Sequence, residues 1–434
     1  MLDIKYIREN PEKVKQGAKN KGVEIDIERL LELDKKRRET IAESEQLKAE
    51  QNKLSSPARN ASQAGAFSRS DAGGQGAPTP EVIETAKALK EKFQAQEVIL
   101  KEVEAEYDIL MRKIPNPAFD EVPVGKDDSG NKVKEIGKIK EKPKFTFKPK
   151  EHWEIGESLD IIDTERAAKV AGSRFYYLKR QGVLLELALI NFAFDKLVKK
   201  GFIPVIPPVM VKPEMAWAMG YLEQTDDEEA YHLEKDNLYL TATSEQTLGA
   251  MHAGETFEEK DLPLRYVGFS TCFRREAGSY GKDTKGILRV HQFDKIEMFV
   301  FCKPQDALKE HEQLIAIERE LMDDLGLHYQ VIDICTGDLG APAAKKYDIE
   351  TWMPGQDRYR ETHSTSNCTD FQARRLNVRY KDSKTNRMEF VHTLNGTAFS
   401  MRPIIAILEN YQKKDGTVTV QKVLQKWTGF KEIK

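Results

Sequence analysis

Charged and aromatic side chains are concentrated between Phe273 and Glu297. On a strand in the second half of this run, alternation would place five side chains on one face: Arg289, His291, Phe293, Lys295 and Glu297. Arg274 offers a two-pronged guanidinium for a phosphate, Phe293 a flat ring for a base, and Glu297 a carboxylate for an ammonium group. The run therefore carries the side chains that would bind a triphosphate, a purine and an amine together. An amphipathic hairpin with a solvated charged face is the alternative.

The order of the residues in this run identifies a protein family more specifically than their chemical types do. The sequence Cys272-Phe273-Arg274-Arg275-Glu276-Ala277-Gly278, followed by Val290-His291-Gln292-Phe293, resembles motif 2 of the class II aminoacyl-tRNA synthetases, in the form found in seryl-tRNA synthetases. The resemblance implies a catalytic role for Arg274. It also implies ATP binding by Arg274, Arg275, Glu276, Arg289, Val290 and Phe293.

Length and composition suit such an enzyme. The chain has 434 residues, enough for a large core and a second domain, and its 32% charged and 39% hydrophobic residues are typical of a soluble globular protein. The net charge of -3 means that any nucleic-acid surface must be a local basic patch. The four cysteines lie about thirty residues apart with no CxxC pair, which disfavours a zinc knuckle or a disulfide framework. With no apolar signal core or membrane-length apolar run, we expect a cytoplasmic protein without a membrane partner.

An N-terminal coiled coil is predicted from apolar spacing. The intervals alternate between four and three along Val82, Ala86, Leu89, Phe93, Gln96, Leu100, Val103, Tyr107, Leu110 and Ile114. The helix would begin after Pro80 and end before Pro115. Residues 27–54 carry a second apolar stripe, and the polar, Gly- and Ser-rich stretch from Ser55 to Thr79 separates the two. We therefore predict that the two helices form an antiparallel hairpin with a flexible tip.

The first helix of this hairpin and its tip are rich in basic residues, which are Lys35, Lys36, Arg37, Arg38, Lys48, Lys53, Arg59 and Arg69. Mixed charge of this kind is usual for a solvated helix face. The resemblance implies instead an arm that holds the long variable arm of tRNA(Ser). We accordingly expect an N-terminal helical arm over residues 1–115, a linker over 116–150 and a class II catalytic domain over 151–434.

A proline-rich segment precedes the chemical residues. Gly201-Phe202-Ile203-Pro204-Val205-Ile206-Pro207-Pro208 resembles class II motif 1, which implies that Pro208 lies at a homodimer interface. Without the resemblance, prolines within a strand from Val205 to Val211 indicate an ordinary edge strand.

An amino-acid pocket is implied by Leu240-Thr241-Ala242-Thr243-Ser244-Glu245, which matches the T-x-E loop of the family. The loop implies serine binding by Thr243, Ser244 and Glu245, together with Arg274 and Glu297. A carboxylate opposite the substrate ammonium is sound chemistry, and Glu245 with Glu297 would form an acidic niche. Taken alone, T-x-E more often marks a helix N-terminus with an acidic first turn.

Two later runs complete the resemblance. The run from Arg360 to Arg375 is similar to the family's sequence ahead of motif 3, although His363 and Thr365 stand where Ser and Cys are expected. It implies ATP binding by Glu361, Thr362, His363 and Ser364, with Glu361 and Ser364 also binding Mg²⁺ through oxygen. The run from Leu394 to Arg402 resembles motif 3, but its spacing is one residue short. It implies serine binding by Asn395 and Thr397 and a catalytic, ATP-binding role for Arg402.

The resemblance implies an α+β fold, with a six- to eight-stranded antiparallel sheet flanked by helices and an N-terminal antiparallel two-helix coiled coil. It implies activation of L-serine with ATP and Mg²⁺, then transfer to tRNA(Ser), with tRNA(Sec) as a second acceptor to consider. The alternatives are a synthetase-like ligase that loads a carrier protein, or a non-catalytic coiled-coil interaction protein. The arm argues against the first, and the intact set of chemical residues argues against the second.

Overall fold

The computed structural model describes residues 1–63, 80–222, 229–278, 281 and 283–434, with the side chains of residues 53–83 left out. These residues form two compact units. One comprises Ile4–Lys15 and Glu24–Ile114; the other comprises Met1–Asp3, Gln16–Val23 and Pro115–Lys434. The two short N-terminal pieces of the larger unit were not anticipated from the sequence. The division into arm, linker and catalytic domain stays a prediction.

The N-terminal residues are helical, and the helices are α1 (Ile4–Glu9), α2 (Pro11–Asn20), α3 (Ile27–Gln63) and α4 (Pro80–Lys113). Helices α3 and α4 pack side by side. Their direction follows from two contacts: Arg29 Nη2 lies 2.7 Å from Glu106 Oε2, and the Gln96 amide donates to Glu43 Oε2 at 2.8 Å. The contact partners on α4 therefore have falling residue numbers as the residue numbers on α3 rise, so the two helices run in opposite directions. The predicted antiparallel coiled coil is therefore confirmed.

The predicted seam of α4 is buried or half-buried at each of its positions from Ala86 to Ile114. Val103 is 4% exposed, whereas Val98, off the seam, is 59% exposed. The polar seam residue Gln96 is matched by its bond to Glu43. The predicted tip is partly wrong, since α3 continues through Ser55 to Gln63. The rest of the tip, residues 64–79, lies outside the described residues.

The larger unit is built on an eight-stranded sheet. In chain order its strands are β1 (Lys132–Ile136), β2 (Ile203–Val205), β3 (Leu264–Phe273), β4 (Gln292–Cys302), β5 (Tyr329–Asp333), β6 (Lys345–Met353), β7 (Arg358–Asn367) and β8 (His392–Phe399). The spatial order is β1-β5-β6-β7-β8-β4-β3-β2. Neighbours are antiparallel except β2 and β3, which are parallel. The predicted antiparallel sheet is confirmed.

The two edge strands of this sheet differ in how well the sequence predicts them. Pro204 lies in β2 at one edge, as proline requires. The predicted strand from Val205 to Val211 is replaced by β2 and by a separate short strand, Met210–Val211, because Pro207 and Pro208 interrupt it. Part of the predicted linker forms the other edge as β1. Backbone pairing with β5 outweighs the loop-like composition there.

Helices flank the sheet. They are α5 (His152–Ser158), α6 (Thr164–Ala171), α7 (Gln181–Lys199), α8 (Pro213–Ala218), α9 (Glu245–Ala250), α10 (Ala307–Asp324), α11 (Phe371–Leu376), α12 (Arg402–Asn410) and α13 (Gln425–Thr428). Apolar residues of α7, α10 and α12 share one core with β4 and β8. No helix in the described ranges has the length and apolarity needed to cross a membrane.

Within the described ranges, short strands form four further small sheets. Their members are Ile162–Asp163 with Tyr177–Leu178; Met210–Val211 with Leu238–Leu240 and His232–Leu233; Thr256–Glu258 with Arg379–Lys381 and Met388–Phe390; and Val418–Thr419 with Glu432–Ile433. Between Arg174 and Leu178 only the last two residues form a strand. Arg174 has a φ of 61°, which a strand does not allow.

The coiled-coil seam can be tested with two valines on α4. Val103→Ala should lower the free energy of unfolding of the helical unit by about 1–3 kcal/mol, since it removes buried methyl groups and leaves a cavity. Val98→Ala, the same change at an exposed position, should alter it by less than about 0.5 kcal/mol. Thermal unfolding followed by circular dichroism measures both. Equal losses for the two variants would contradict the seam.

Candidate active site

A cavity of about 730 Å³ lies in the larger unit, lined by side chains of β4, β7 and β8 and by the connections around them. Most residues predicted from the sequence line this cavity. They are Thr243, Glu245, Arg274, Glu276, Arg289, Val290, Phe293, Glu297, Glu361, Thr362, Ser364, Asn395, Thr397 and Arg402. Residues more than 150 positions apart in the sequence thus share one site.

The pairing of β3 with β4 presents the first group of these residues. Phe273, the last residue of β3, pairs with Gln292, the first of β4. Arg274 is therefore the first loop residue rather than a strand residue, and its backbone N–H donates to the His291 carbonyl at 2.9 Å. Its guanidinium carbon lies 5.2 Å from the centre of the Phe293 ring, a cation–π distance. A cation and an aromatic face are thus adjacent at one end of the cavity.

An acidic niche lies deeper along β4. Glu297 is 1% exposed, and its Oε2 lies 2.6 Å from Lys295 Nζ. Lys295 also donates to Thr243 Oγ1 at 3.0 Å. A bulge in the pairing of β4 with β8 follows Ile296 and sets Glu297 opposite Thr397, whose hydroxyl donates to Glu297 Oε2 at 3.4 Å. One carboxylate therefore gathers an ammonium and a hydroxyl around it.

Glu245 adds a second carboxyl to this niche. It begins α9, so the T-x-E run is both a helix start and a lining segment. Its two oxygens accept hydrogen bonds from the Tyr221 hydroxyl at 2.8 Å and from the Gln372 amide at 2.9 Å. Burial, with the charge of Glu297, raises the pKa of Glu245 to about 6. Burial also raises the pKa of Glu297, although Lys295 opposes the shift.

Another part of the cavity wall pairs a carboxylate with an arginine. Arg402 Nη1 lies 3.2 Å from Glu361 Oε2 and donates to the Glu361 carbonyl at 2.8 Å. Desolvation would raise the pKa of Glu361, but the charges of Arg402 and Lys346 hold it well below its ordinary value. Arg402 is the first residue of α12, and Pro403 follows it as the second. The short spacing after Thr397 therefore does not remove Arg402 from the cavity.

The loop between β3 and β4 is held by ion pairs. Arg289 Nη1 donates to Glu276 Oε2 at 2.8 Å, and Arg289 Nε lies 3.7 Å from Asp283 Oδ2. Glu276 has a φ of 54°, an uncommon conformation for a residue other than glycine. Such backbone strain is found where the surrounding structure requires it. The guanidinium of Arg289 is thereby fixed at the cavity wall.

The implied Mg²⁺ can be tested against the residues present. The Glu361 side chain is 46% exposed, and both it and the Ser364 hydroxyl line the cavity. Among the described residues, no group of three or more His, Cys, Asp or Glu side chains could hold a metal ion. Mg²⁺ commonly takes one or two protein oxygens, with phosphate oxygens and water for the rest. Glu361 and Ser364 fit a magnesium ion that arrives with a nucleotide.

Three of the predicted residues do not line the cavity. His363 is 1% exposed and does not line the cavity, and its Nδ1 lies 2.9 Å from Thr362 Oγ1. Its ring packs against Phe399, and burial lowers its pKa to about 3, so the imidazole is neutral. Arg275 follows Arg274 and is exposed, and Ser244 is buried away from the cavity. The structure therefore does not bring these three residues to the cavity.

Two lysines of the cavity were missed. Lys295 shared the alternating face with Phe293 and Glu297, so its place at the cavity could have been inferred. Lys346 on β6 belongs to none of the motifs. Burial would lower the pKa of Lys346, but the carboxylates of Asp348 and Glu361 raise it, so it adds a positive charge near Glu361.

Family models match both parts of the chain. Residues 1–118 match the seryl-tRNA synthetase N-terminal domain, and residues 229–411 match the class II tRNA synthetase core domain (G, H, P, S and T). Among curated relatives, a serine–tRNA ligase of Thermobifida fusca is 46% identical and one of Thermococcus onnurineus is also 46% identical. The alignments cover 99% and 100% of this chain, and 98% and 97% of the relatives.

Solved structures agree with these relatives. A seryl-tRNA synthetase from Pyrococcus horikoshii complexed with ATP has a TM-score of 0.89 at 43% identity. A cytoplasmic serine–tRNA ligase from Naegleria fowleri in complex with AMP has a TM-score of 0.83 at 34% identity. Each match covers 100% of this chain and 99% of the other. The fold and cavity therefore define a class II aminoacyl-tRNA synthetase.

Within that class, the chain belongs to the seryl-tRNA synthetase family. The resemblance inferred from the motifs is thereby confirmed. The match extends over the whole chain, including the N-terminal domain, which disfavours a carrier-protein ligase without a helical arm.

The environment of Glu245 predicts a pH-dependent stability. Its pKa is raised on folding from 4.5 to about 6, so its contribution to the free energy of unfolding is complete below pH 4.5 and lost as the pH rises through about 6. Glu245→Gln removes this loss. The unfolding free energy of the wild type, relative to the variant, should fall by about 2 kcal/mol between pH 4 and pH 8.

Denaturant unfolding at several pH values measures this difference. Glu165→Gln, at a side chain that is 84% exposed, controls for the loss of a carboxylate as such. A difference between wild type and Glu245→Gln that stays constant with pH would contradict the raised pKa.

Proposed function

We propose that the chain is a serine–tRNA ligase, which activates L-serine with ATP and transfers the seryl group to the 3′ end of tRNA(Ser). One observation carries the proposal: the acidic niche of Glu245 and Glu297 opens into the same cavity as Arg274, Phe293 and Arg402. An amine and a triphosphate would meet there. The relatives of known structure were solved with ATP and AMP, which supports nucleotide binding by this chain.

The first reaction forms seryl-adenylate. An oxygen of the serine carboxylate attacks the α-phosphorus of ATP, the bond from that phosphorus to the bridging oxygen breaks, and pyrophosphate leaves. Arg274 and Arg402 neutralise the charge that develops on the phosphates, and Phe293 stacks on the adenine. Positioning and charge compensation are sufficient for phosphoryl chemistry of this kind. Mg²⁺ held by Glu361 and Ser364 would supply further charge neutralisation at the phosphates when bound.

Selection of serine rests on the niche. Lys295 compensates the negative charge of Glu297, so the carboxylate of Glu245 is left to pair with the substrate ammonium. The hydroxyls of Thr243 and Thr397 and the amide of Asn395 are polar partners for the serine side chain. Alanine would leave these buried groups unpaired, which can cost on the order of 10⁴-fold in specificity. The additional methyl of threonine must be excluded by the size of the niche.

The second reaction uses tRNA. A terminal ribose hydroxyl attacks the carbonyl of seryl-adenylate, the bond to the phosphate breaks, and AMP leaves. The coiled coil of α3 and α4 is the element proposed to hold the long variable arm, through exposed basic residues such as Lys35, Lys36 and Lys48. A selenocysteine tRNA with a similar arm is a second acceptor to test.

A homodimer in the cytoplasm is the proposed form of the enzyme. The segment around Pro208 carries large exposed apolar side chains, with Ile203 at 46%, Ile206 at 84% and Met210 at 47% exposure. Apolar exposure on an edge strand is typical of an interface. Pro208 would then lie between two copies of the chain.

The proposal is tested by ATP/pyrophosphate exchange with serine, threonine and alanine, followed by charging of a tRNA with a long variable arm. We expect exchange that depends on serine and exceeds that with the other two amino acids by at least about 10³-fold. Exchange without charging of any tRNA would favour a carrier-protein ligase. No exchange with a folded protein would favour a non-catalytic interaction protein.

Arg274 is expected to be necessary for activation. Arg274→Ala should lower kcat/KM for serine-dependent exchange by at least about 100-fold, because it removes charge neutralisation at the phosphates. The neighbouring Arg275→Ala is a matched control, since Arg275 is exposed and does not line the cavity, and it should change kcat/KM by less than about threefold. Thermal unfolding checks that both variants fold. Near-normal exchange in Arg274→Ala would refute its proposed role.

The arm should serve charging but not activation. Gln96 and Glu43 are in contact, so residues 44–95 can be replaced by a short Gly-Ser turn that leaves the base of the hairpin in place. Exchange should stay within about twofold of wild type, whereas kcat/KM for tRNA charging should fall at least about 100-fold with the loss of phosphate contacts. Charging by the intact enzyme should also weaken steeply with salt. Equal losses in both reactions would contradict this division of labour.

A further inference from the structure

A buried carboxylate lies outside the cavity, at the far end of the helix that begins with Arg402. Glu409, near the end of α12, is 0% exposed. Its Oε1 accepts from the His152 backbone N–H at 3.2 Å and from the Gln356 amide at 2.9 Å, and its Oε2 accepts from the Gly355 N–H at 3.0 Å. His152 Nδ1 lies 3.1 Å from Oε1. Residues from α5 and from the turn between β6 and β7 thus converge on one carboxylate.

His152 connects this carboxylate to the loop that returns to β4. The backbone N–H of Ile287 donates to His152 Nε2 at 3.2 Å. Because Nε2 accepts, it carries no proton, and Nδ1 carries the proton that is donated to Glu409. The contact with the loop is close: a Cβ at Gly286, where φ is +74°, would lie 2.1 Å from His152 Nε2. The His152 ring therefore sets the position of the peptide between Gly286 and Ile287.

A second connection reaches Asp283, which lies earlier in the same loop. Gln356, which donates to Glu409, accepts from Arg360 Nε at 2.9 Å. Arg360 in turn forms an ion pair with Asp283, which also lies 3.7 Å from Arg289 Nε. Glu409 is thus connected to the loop by two routes. One runs through the side chains of Gln356 and Arg360 to Asp283. The other runs through the His152 ring to the backbone of Ile287.

The loop held in this way is part of the cavity wall. Ile287, Leu288, Arg289 and Val290 all line the cavity, while neither His152 nor Glu409 does. Residues such as His152 and Glu409, which bond to a ligand-binding segment from behind, fix that segment in place without touching the ligand.

We propose that Glu409 and His152 are positioning residues for the nucleotide: they hold residues 283–290 so that Arg289 meets ATP in a fixed place. The inference rests on the proposed function. It concerns the ATP half of the cavity and leaves the serine niche unaffected, because Glu245 and Glu297 have no bond to this network in the described structure.

Two amide variants separate the two bonds of His152. An asparagine amide can replace Nδ1 and keep the bond to Glu409, but it is too short to accept from Ile287. A glutamine amide can reach the place of Nε2 and accept that N–H. In serine-dependent exchange we expect His152→Asn to raise KM for ATP by about tenfold and His152→Gln by about threefold or less, as expected for loss of one buried hydrogen bond. KM for serine should stay within about twofold in both.

His328→Asn is the matched control. His328 is also a buried histidine with two hydrogen bonds, to the Ile139 carbonyl and to the Tyr359 hydroxyl, and it does not line the cavity. It should lower thermal stability without a selective rise in KM for ATP. ATP binding measured by calorimetry, without serine, gives a readout that does not depend on catalysis, and Kd should follow the same order as KM.

The outcomes are distinct. A wild type that binds ATP but shows no serine-dependent exchange would overturn the proposed function, while weaker ATP binding by His152→Asn would still support the inference. An active wild type in which His152→Asn raises the KM values of ATP and serine equally, or behaves like His328→Asn, would overturn the inference, since a general packing role explains that result.

Discussion

The antiparallel pairing of β3, β4 and β8 is the constraint on which the site depends. It sets Glu297 beside Gly268 on one side and Thr397 on the other. A slip of one residue would turn each charged side chain of β4 into the apolar core. Gly268 matters in the same way, since a Cβ there would lie 2.8 Å from a methyl carbon of Leu248. The missing side chain lets α9 approach the sheet and brings Glu245 to the niche.

Charge compensation explains why so many ionisable groups can share a partly buried cavity. Glu297 is paired with Lys295, Glu361 with Arg402, and Glu276 with Arg289. Buried charges are tolerated when they are paired and hydrogen-bonded. The bonds that the structure gives to Glu245 come from the neutral groups of Tyr221 and Gln372, and they lower its pKa by less than burial and the charge of Glu297 raise it. It is the carboxyl with most to gain from an incoming ammonium group.

The sequence was informative where chemistry or periodicity is local. The seam of α4 follows from spacing along one helix, and the cavity residues of β4 follow from alternation along one strand. Alternation does not account for β7 in the same way, because a bulge at Thr362 lets Glu361, Thr362 and Ser364 all line the cavity while His363 does not. Lys346 and the bonds of Glu409 had no such signal, because they depend on which strands and loops meet. The edge strand β1 was missed because its composition resembles a loop and only its partner β5 makes it a strand.

The internal pairs of the cavity also constrain how a nucleotide can enter. Arg274 lies over Phe293, and Arg402 is bonded to Glu361, so the groups proposed for adenine and phosphate are in contact with each other before a ligand binds. A phosphate that replaces Glu361 as the partner of Arg402 keeps the arginine compensated and frees the carboxylate for a cation. The ion pair of Arg402 with Glu361 is then replaced by two pairs, Arg402 with the phosphate and Glu361 with the cation, so that no charge in the cavity is left unpaired. This favours entry of the nucleotide together with its metal ion over entry of either alone.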